Sequence, residues 1–143
     1  MSPSDRRHQL TKMPVFLGVN EAGLDWLADR VTERDFAPGD VIIRQGDVDR
    51  DCFFLIDGMV AVEIDGEDVG SFGPLDPEGE LALLYGGPRR ATVTALGPCR
   101  TFVLSAEDYD VAAKASPEVF STIGKALRTS LARRFGHPSS NEG

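Results

Sequence analysis

The chain has 143 residues, 41% of them hydrophobic and 27% charged, with a net charge of −8. That length suffices for one domain with a real core, and the acidic balance argues against a broad nucleic-acid footprint, which needs clustered Lys and Arg. No stretch approaches the roughly 18 apolar residues of a membrane span, and Met1 to His8 lack an apolar signal core, so the reading is a cytoplasmic protein without a membrane or nucleic-acid partner.

Residues 1–12 are polar and carry no period, and they read as a flexible tail. Val15, Phe16, Leu17 and Val19 turn the chain apolar. Leu24, Leu27, Ala28 and Val31 then fall at helical spacing behind the capping candidates Asn20 and Asp25. One or two short helices are expected through about Arg30.

The period then shortens. Phe36 and Val41-Ile42-Ile43 flank Pro38-Gly39-Asp40, a turn between strands, and Gln45-Gly46-Asp47 is a second turn. Phe53-Phe54-Leu55-Ile56 is a fully apolar strand broken by Asp57-Gly58. Met59 to Ile64 resumes, and Asp65-Gly66 is a hairpin signal leading to Val69 and Phe72. Later strands are expected at Ala91–Ala95 and Thr101–Leu104, with Gly97-Pro98 turning between them. Short strands with frequent glycine turns indicate a sandwich or jelly roll. Cys52 and Cys99 each lie in an apolar strand-like run and read as reduced core fillers rather than a disulfide.

The last third is helical. Ser105 precedes Asp108 by three residues, a capping arrangement. Ser116-Pro117-Glu118 supplies a cap, a first-turn proline and an acid. Val119, Phe120, Ile123, Leu127, Leu131 and Phe135 follow at spacings of three and four, an amphipathic helix ending on Arg133-Arg134 and stopped by Gly136 and Pro138. Residues 137–143 read as a second flexible tail.

Between the strand through Phe72 and these later strands lies the stretch that carries chemistry: Gly79-Glu80-Leu81-Ala82-Leu83-Leu84, then Pro88-Arg89-Arg90-Ala91-Thr92-Val93. The Glu80 carboxylate can accept from a sugar hydroxyl, and the Arg89 guanidinium can grip two phosphate oxygens. Their proximity suits a ribose phosphate. Standing alone, the same two residues read more readily as a surface ion pair of small energetic weight, since exposed pairs are frequent.

With Pro38-Gly39-Asp40-Val41-Ile42, Gln45-Gly46-Asp47 and Phe54-Leu55-Ile56-Asp57-Gly58-Met59-Val60, this stretch resembles the cyclic nucleotide-binding domain, over about residues 13–136. The resemblance implies an α+β fold, mainly β: a jelly-roll barrel with short N-terminal helices and an amphipathic C-terminal helix. It implies a ligand rather than a cofactor, cyclic AMP with cyclic GMP as the alternative. Glu80 would bind the ribose 2′-hydroxyl, and Arg89 the equatorial phosphate oxygen. Backbone N–H groups near Ala82 and at Arg90 and Ala91 would take the remaining oxygens, with the short helix after Gly79 aimed at the anion. Gly79 would let backbone approach the ribose, and Val62 and Leu81 would line the apolar wall. Leu127, Arg128 and Leu131 are candidates to cap the base from the last helix, which in the family serves as lid or output lever.

The chain departs from the family pattern at Pro77 and Glu78, where an aromatic approach is usual; Glu78 reads as a solvated charge. Arg90 stands where relatives often have a small or hydroxylated residue, which leans toward cyclic AMP. Both histidines, His8 and His137, lie in the polar ends, so neither an inward metal cluster of the cupin kind nor a nucleophile–histidine pair is available. The expectation is therefore a non-enzymatic receptor without a metal, acting in trans on a protein effector through its last helix, with homodimerisation open. The alternative is a scaffold that has lost ligand binding and serves protein interaction.

Overall fold

The computed structural model describes the backbone of residues 1–135 and the side chains through 133. The expected tail at 137–143 and the stop at Gly136 and Pro138 lie outside the described residues. Eight strands form two four-stranded antiparallel sheets. They are β1 (Thr32–Phe36), β2 (Val41–Ile43), β3 (Cys52–Asp57), β4 (Val60–Ile64), β5 (Glu67–Phe72), β6 (Pro77–Glu78), β7 (Thr92–Ala95) and β8 (Cys99–Leu104). One sheet runs β1-β8-β3-β6 and the other β2-β7-β4-β5. The turns expected after β1, β3 and β7 therefore carry the chain from one sheet to the other, as a jelly roll requires. The Asp65-Gly66 turn closes a true hairpin between β4 and β5, both residues at positive φ (54° and 81°).

Two hydrophobic clusters share β3. Phe53 and Leu55 point between the sheets, against Val60, Val62 and Val93 of the opposite sheet. Cys52, Phe54 and Ile56 point the other way, into the helical layer. A strand buried on both faces cannot alternate with polar residues, which is why Phe53–Ile56 reads as a continuous apolar run. Full burial of one such phenylalanine contributes about 1.5–3 kcal/mol. Cys52 lies opposite Leu104 and Cys99 opposite Phe36, at opposite ends of β8, so the two buried thiols stand apart.

The helical layer comprises α1 (Pro3–Thr11), a 3-10 turn at Pro14–Phe16, α2 (Glu21–Arg30), the short α3 (Glu80–Tyr85), α4 (Ala106–Ala115) and α5 (Pro117–Phe135). Asn20 caps α2 and Ser105 caps α4, each side chain accepting from the third residue onward. Phe16 packs on Phe54 with ring centroids 4.9 Å apart, and Tyr109 of α4 packs on Phe120 of α5 at 4.6 Å.

The N-terminal segment corrects the sequence reading, because residues 3–11 are helical rather than a free tail. Ser2 Oγ accepts from Asp5 N–H at 3.0 Å and Asp5 accepts from Ser2 N–H at 3.3 Å, a reciprocal capping box with Pro3 in the first turn. The helix is held to α2 by polar contacts. Arg6 Nε donates to the Ala28 carbonyl at 2.7 Å, and Arg7 pairs with Asp25 at 2.5 Å and with Glu21. Leu10 is its one buried apolar residue, so no hydrophobic period marks it.

Candidate functional site

A cavity of about 620 Å³ opens between the β2-β7-β4-β5 sheet and the Gly79–Ala91 segment, with Leu131 of α5 on its wall. That size suits a small-molecule ligand. Most of its surface is apolar, from strand residues such as Ile43, Val62, Phe72 and Val93. Among the described residues, the ionisable side chains that line it are Glu78, Glu80 and Arg90.

Gly79 sets the geometry. Its φ of +94° is the left-handed conformation that glycine adopts without a steric cost. A Cβ at this position would stand 2.6 Å from Arg89 Nη1 and 3.1 Å from the Asp51 carbonyl oxygen. The tight backbone places Glu80 at the first position of α3 with 3% of its surface exposed.

Arg89 lies immediately behind Gly79 and is 4% exposed. Nη1 donates to the Gly79 carbonyl at 3.3 Å, and Nη2 donates to the Asp51 carbonyl at 2.6 Å and to Asp49 Oδ2 at 3.0 Å. Its backbone is pinned as well: Arg89 N–H donates to the Asp47 carbonyl, and Gly46 N–H donates to the Arg89 carbonyl. Arg89 Nε has no hydrogen-bond acceptor, the one such buried side-chain polar atom among the described residues. An unmet donor on a buried guanidinium costs roughly 1–3 kcal/mol. Burial opposes ionisation of Asp49, but hydrogen bonds from the Asp51 backbone and from Arg89 outweigh it and hold this carboxyl below its ordinary value.

The neighbouring residues of the same loop grip the helices. Arg50 donates to the Ala82 and Leu83 carbonyls at the end of α3, at 3.2 and 2.7 Å, and forms a two-pronged pair with Asp110 of α4 at 2.8 and 3.1 Å. That pairing lowers the Asp110 pKa. Asp51 Oδ1 accepts from Ala106 N–H at 2.9 Å, at the start of α4. Residues 49–51 thus touch Arg89, α3 and α4 together.

The structure brings Val62, Gly79, Glu80, Leu81, Ala82, Arg90 and Ala91 onto the cavity wall, with Arg89 behind it. Of the three residues expected to cap a base, Leu131 alone lines the cavity. Leu127 is fully buried in the helical core, one turn earlier on α5. Arg128 is exposed on a different face, about 100° further round the helix. Glu78 is also corrected: it is 5% exposed and lines the cavity, because Pro77-Glu78 forms β6 and pairs with Phe54 and Phe53. The strand positions Ile43, Ile64, Val69 and Phe72 are absent from the sequence-based site: alternation from Val62 points to Ile64, but Val69 and Phe72, three residues apart, share the wall through the register shift between β4 and β5, which alternation does not reveal.

Residues 33–115 match the model of the cyclic nucleotide-binding domain family. The chain belongs to this family. A cyclic nucleotide-gated potassium channel of Rhizobium etli is 35% identical over 126 residues, which is 88% of this chain and 34% of the channel. The type II regulatory subunit of the cAMP-dependent protein kinase of Drosophila melanogaster is 40% identical over 82 residues, 57% of this chain and 22% of that subunit. The chain therefore spans about a third or less of these two relatives. A cyclic nucleotide-binding domain from Methylobacillus flagellatus superposes with a TM-score of 0.80 at 19% identity, covering 93% of this chain and 78% of that one. The regulatory subunit of a cAMP-independent protein kinase A from Trypanosoma brucei superposes at 0.77 with 25% identity, covering 98% of this chain and 49% of that one. In this cyclic nucleotide-binding domain the buried arginine thus lies behind Gly79, and no described helix is long and apolar enough to cross a membrane.

Proposed function

We propose that this domain is a non-enzymatic cyclic nucleotide receptor, with cyclic AMP as its ligand in preference to cyclic GMP. The observation that carries the reading is Arg89: a buried guanidinium with an unmet Nε donor, packed against Gly79 behind the wall of a cavity of ligand size. Glu80 would accept from the ribose hydroxyl, and Arg90 would add a second positive charge on the phosphate side. Val62, Leu81 and Ala91 would supply apolar contact, and Leu131 would close on the base from α5. The family and the 35% identical gated channel support the same reading. The output would pass through α5 to a protein partner in trans or to a second copy of this chain. For the ligand to act as a switch it must bind two arrangements of α5 with different affinity.

Calorimetric titration with cyclic AMP and cyclic GMP, repeated on Arg89→Ala, tests the proposal. Binding that falls by about a hundredfold or more in the variant supports a receptor and ranks the two bases. No heat and no ligand-dependent rise in melting temperature at millimolar nucleotide would overturn it.

One observation favours a second reading, a domain retained for protein contact alone. Glu78 adds a carboxylate to a cavity meant for an anion, and one structural relative is described as cAMP-independent. The same titration decides between the two, and competition with AMP identifies a site for non-cyclic nucleotides.

A further inference from the structure

Helix α5 has more than one working face. Leu131 meets the cavity, while Ile123, Ala126 and Leu127 enter the helical core. The outward face carries Lys125, Arg128, Thr129, Ala132 and Arg133, all exposed, around a shallow hollow of about 410 Å³. At about 100° per residue, Arg128 and Arg133 stand about 140° apart around the helix, and Lys125, Thr129 and Ala132 fall between them. Two small side chains therefore form a floor, with a guanidinium on either flank and an ammonium one turn before it.

These three cations are uncompensated. Elsewhere Arg7, Arg50, Arg89 and Arg100 each pair with a carboxylate of the chain. The side chains of Lys125, Arg128 and Arg133 make no ion pair or hydrogen bond among the described residues. No acid follows Glu118 on α5, so the carboxylates three or four residues away that balance a cationic helix face are missing. The helix dipole accounts for arginines in the last turn, but Lys125 and Arg128 lie about two to three turns before the end. Since the whole chain has a net charge of −8, its remainder is more acidic still.

The chemistry selects among occupants. A membrane surface takes up apolar side chains, and none of the exposed large apolar residues among those described belongs to α5. A nucleic acid is a long polyanion and would run onto the acidic remainder of the chain. A short acidic segment meets all three cations within about 12 Å of helix and touches little else. We propose that this face of α5 docks an acidic segment of a partner protein, its carboxylates set against Lys125, Arg128 and Arg133 over the floor of Thr129 and Ala132. The proposal gives the output read above a partner of defined chemistry, and it rests on that reading for its link to the nucleotide: Leu131 of the same helix meets the cavity, so a ligand that repositions α5 repositions the docking face.

The test is fluorescence anisotropy of the full chain with a fluorescein-labelled peptide of glutamate and alanine, about twelve residues or about 18 Å of helix, and with its glutamine counterpart. The glutamate peptide should bind and the glutamine peptide should not. Lys125→Ala with Arg128→Ala and Arg133→Ala should weaken binding by about tenfold or more, and raising the salt from about 0.05 to about 0.3 M should weaken it in the wild type. A charge-matched variant, Lys12→Ala with Arg44→Ala and Lys114→Ala, removes three exposed cations elsewhere and should bind as the wild type does. Melting curves confirm that both variants fold. No binding of the glutamate peptide, or equal weakening in the two variants, would overturn the proposal. So would stronger binding to phosphatidylserine vesicles than to the peptide, or a salt-sensitive wild-type dimer lost in the α5 variant, which would assign the face to a second copy of this chain. The nucleotide titration is independent of these results: peptide binding without cyclic nucleotide binding would retain the docking face and remove the receptor.

Discussion

Replacing Gly79 with alanine adds one methyl group at the most constrained point of the site. Two costs follow from the geometry. The residue is held at φ +94°, and a Cβ in the left-handed region costs about 1–2 kcal/mol. The methyl would also lie 2.6 Å from Arg89 Nη1, with the Asp51 carbonyl and Ile43 Cδ1 each 3.1 Å away. The guanidinium has to retreat, and it is held by buried bonds to Gly79, Asp51 and Asp49. Weakening charged hydrogen bonds of this kind costs about 1.5–3 kcal/mol. Together the loss is about 2.5–5 kcal/mol out of a typical total of about 5–15 kcal/mol. Urea denaturation measures it, with Gly66→Ala as the control. Gly66 is also at positive φ (81°), but a methyl added there would meet nothing within 4 Å, so it should lose only the conformational part. Equal destabilisation at the two sites would refute the claim that Arg89 is packed against Gly79.

Two further outcomes follow from the loop at residues 49–51. Arg50→Ala should destabilise by about 2 kcal/mol in urea, because the Ala82 and Leu83 carbonyls lose a charged donor. Asp110→Asn should cost about 1 kcal/mol or less, since Asp110 is half exposed and its pair with Arg50 is partly screened; equal losses in the two variants would mean that the carbonyl bonds carry no weight. Asp49 has a folded-state pKa below its ordinary value of about 3.9. Its stabilising share is therefore complete above that ordinary value and disappears as the pH falls through the lower folded one. Asp49→Asn should flatten the acid limb of the stability curve below about pH 4, and an unchanged limb would dissociate Asp49 from Arg89.

The parts of the fold that announce themselves in sequence are those whose local chemistry and tertiary surroundings agree. The Asp65-Gly66 hairpin, the caps at Asn20 and Ser105 and the doubly buried β3 are of this kind. Helix α1 is not, since its support is a capping box and arginine bonds to α2 rather than a hydrophobic stripe. Glu80 and Arg89 are legible because their residue types and glycine spacing carry the chemistry. The seat of Arg89 is less so: its partners Asp49 and Asp51 come from a loop some 40 residues earlier. Glu78 looks solvated until β6 forms and turns it inward, an event that depends on pairing with Phe53. Along α5, spacing identifies the apolar stripe but not what each residue of it meets, so Leu127 falls in the helical core and Leu131 on the cavity.

Three consecutive residues, Asp49, Arg50 and Asp51, hold the guanidinium behind the cavity, the carbonyl end of α3 and the start of α4. The seat of the buried guanidinium and the resting place of the outer helices are thus written in one tripeptide. A lineage that altered this loop would change both traits in a single step, and a designer wishing to tune sensitivity without disturbing the helices would have to work elsewhere, on the strand side chains that wall the pocket.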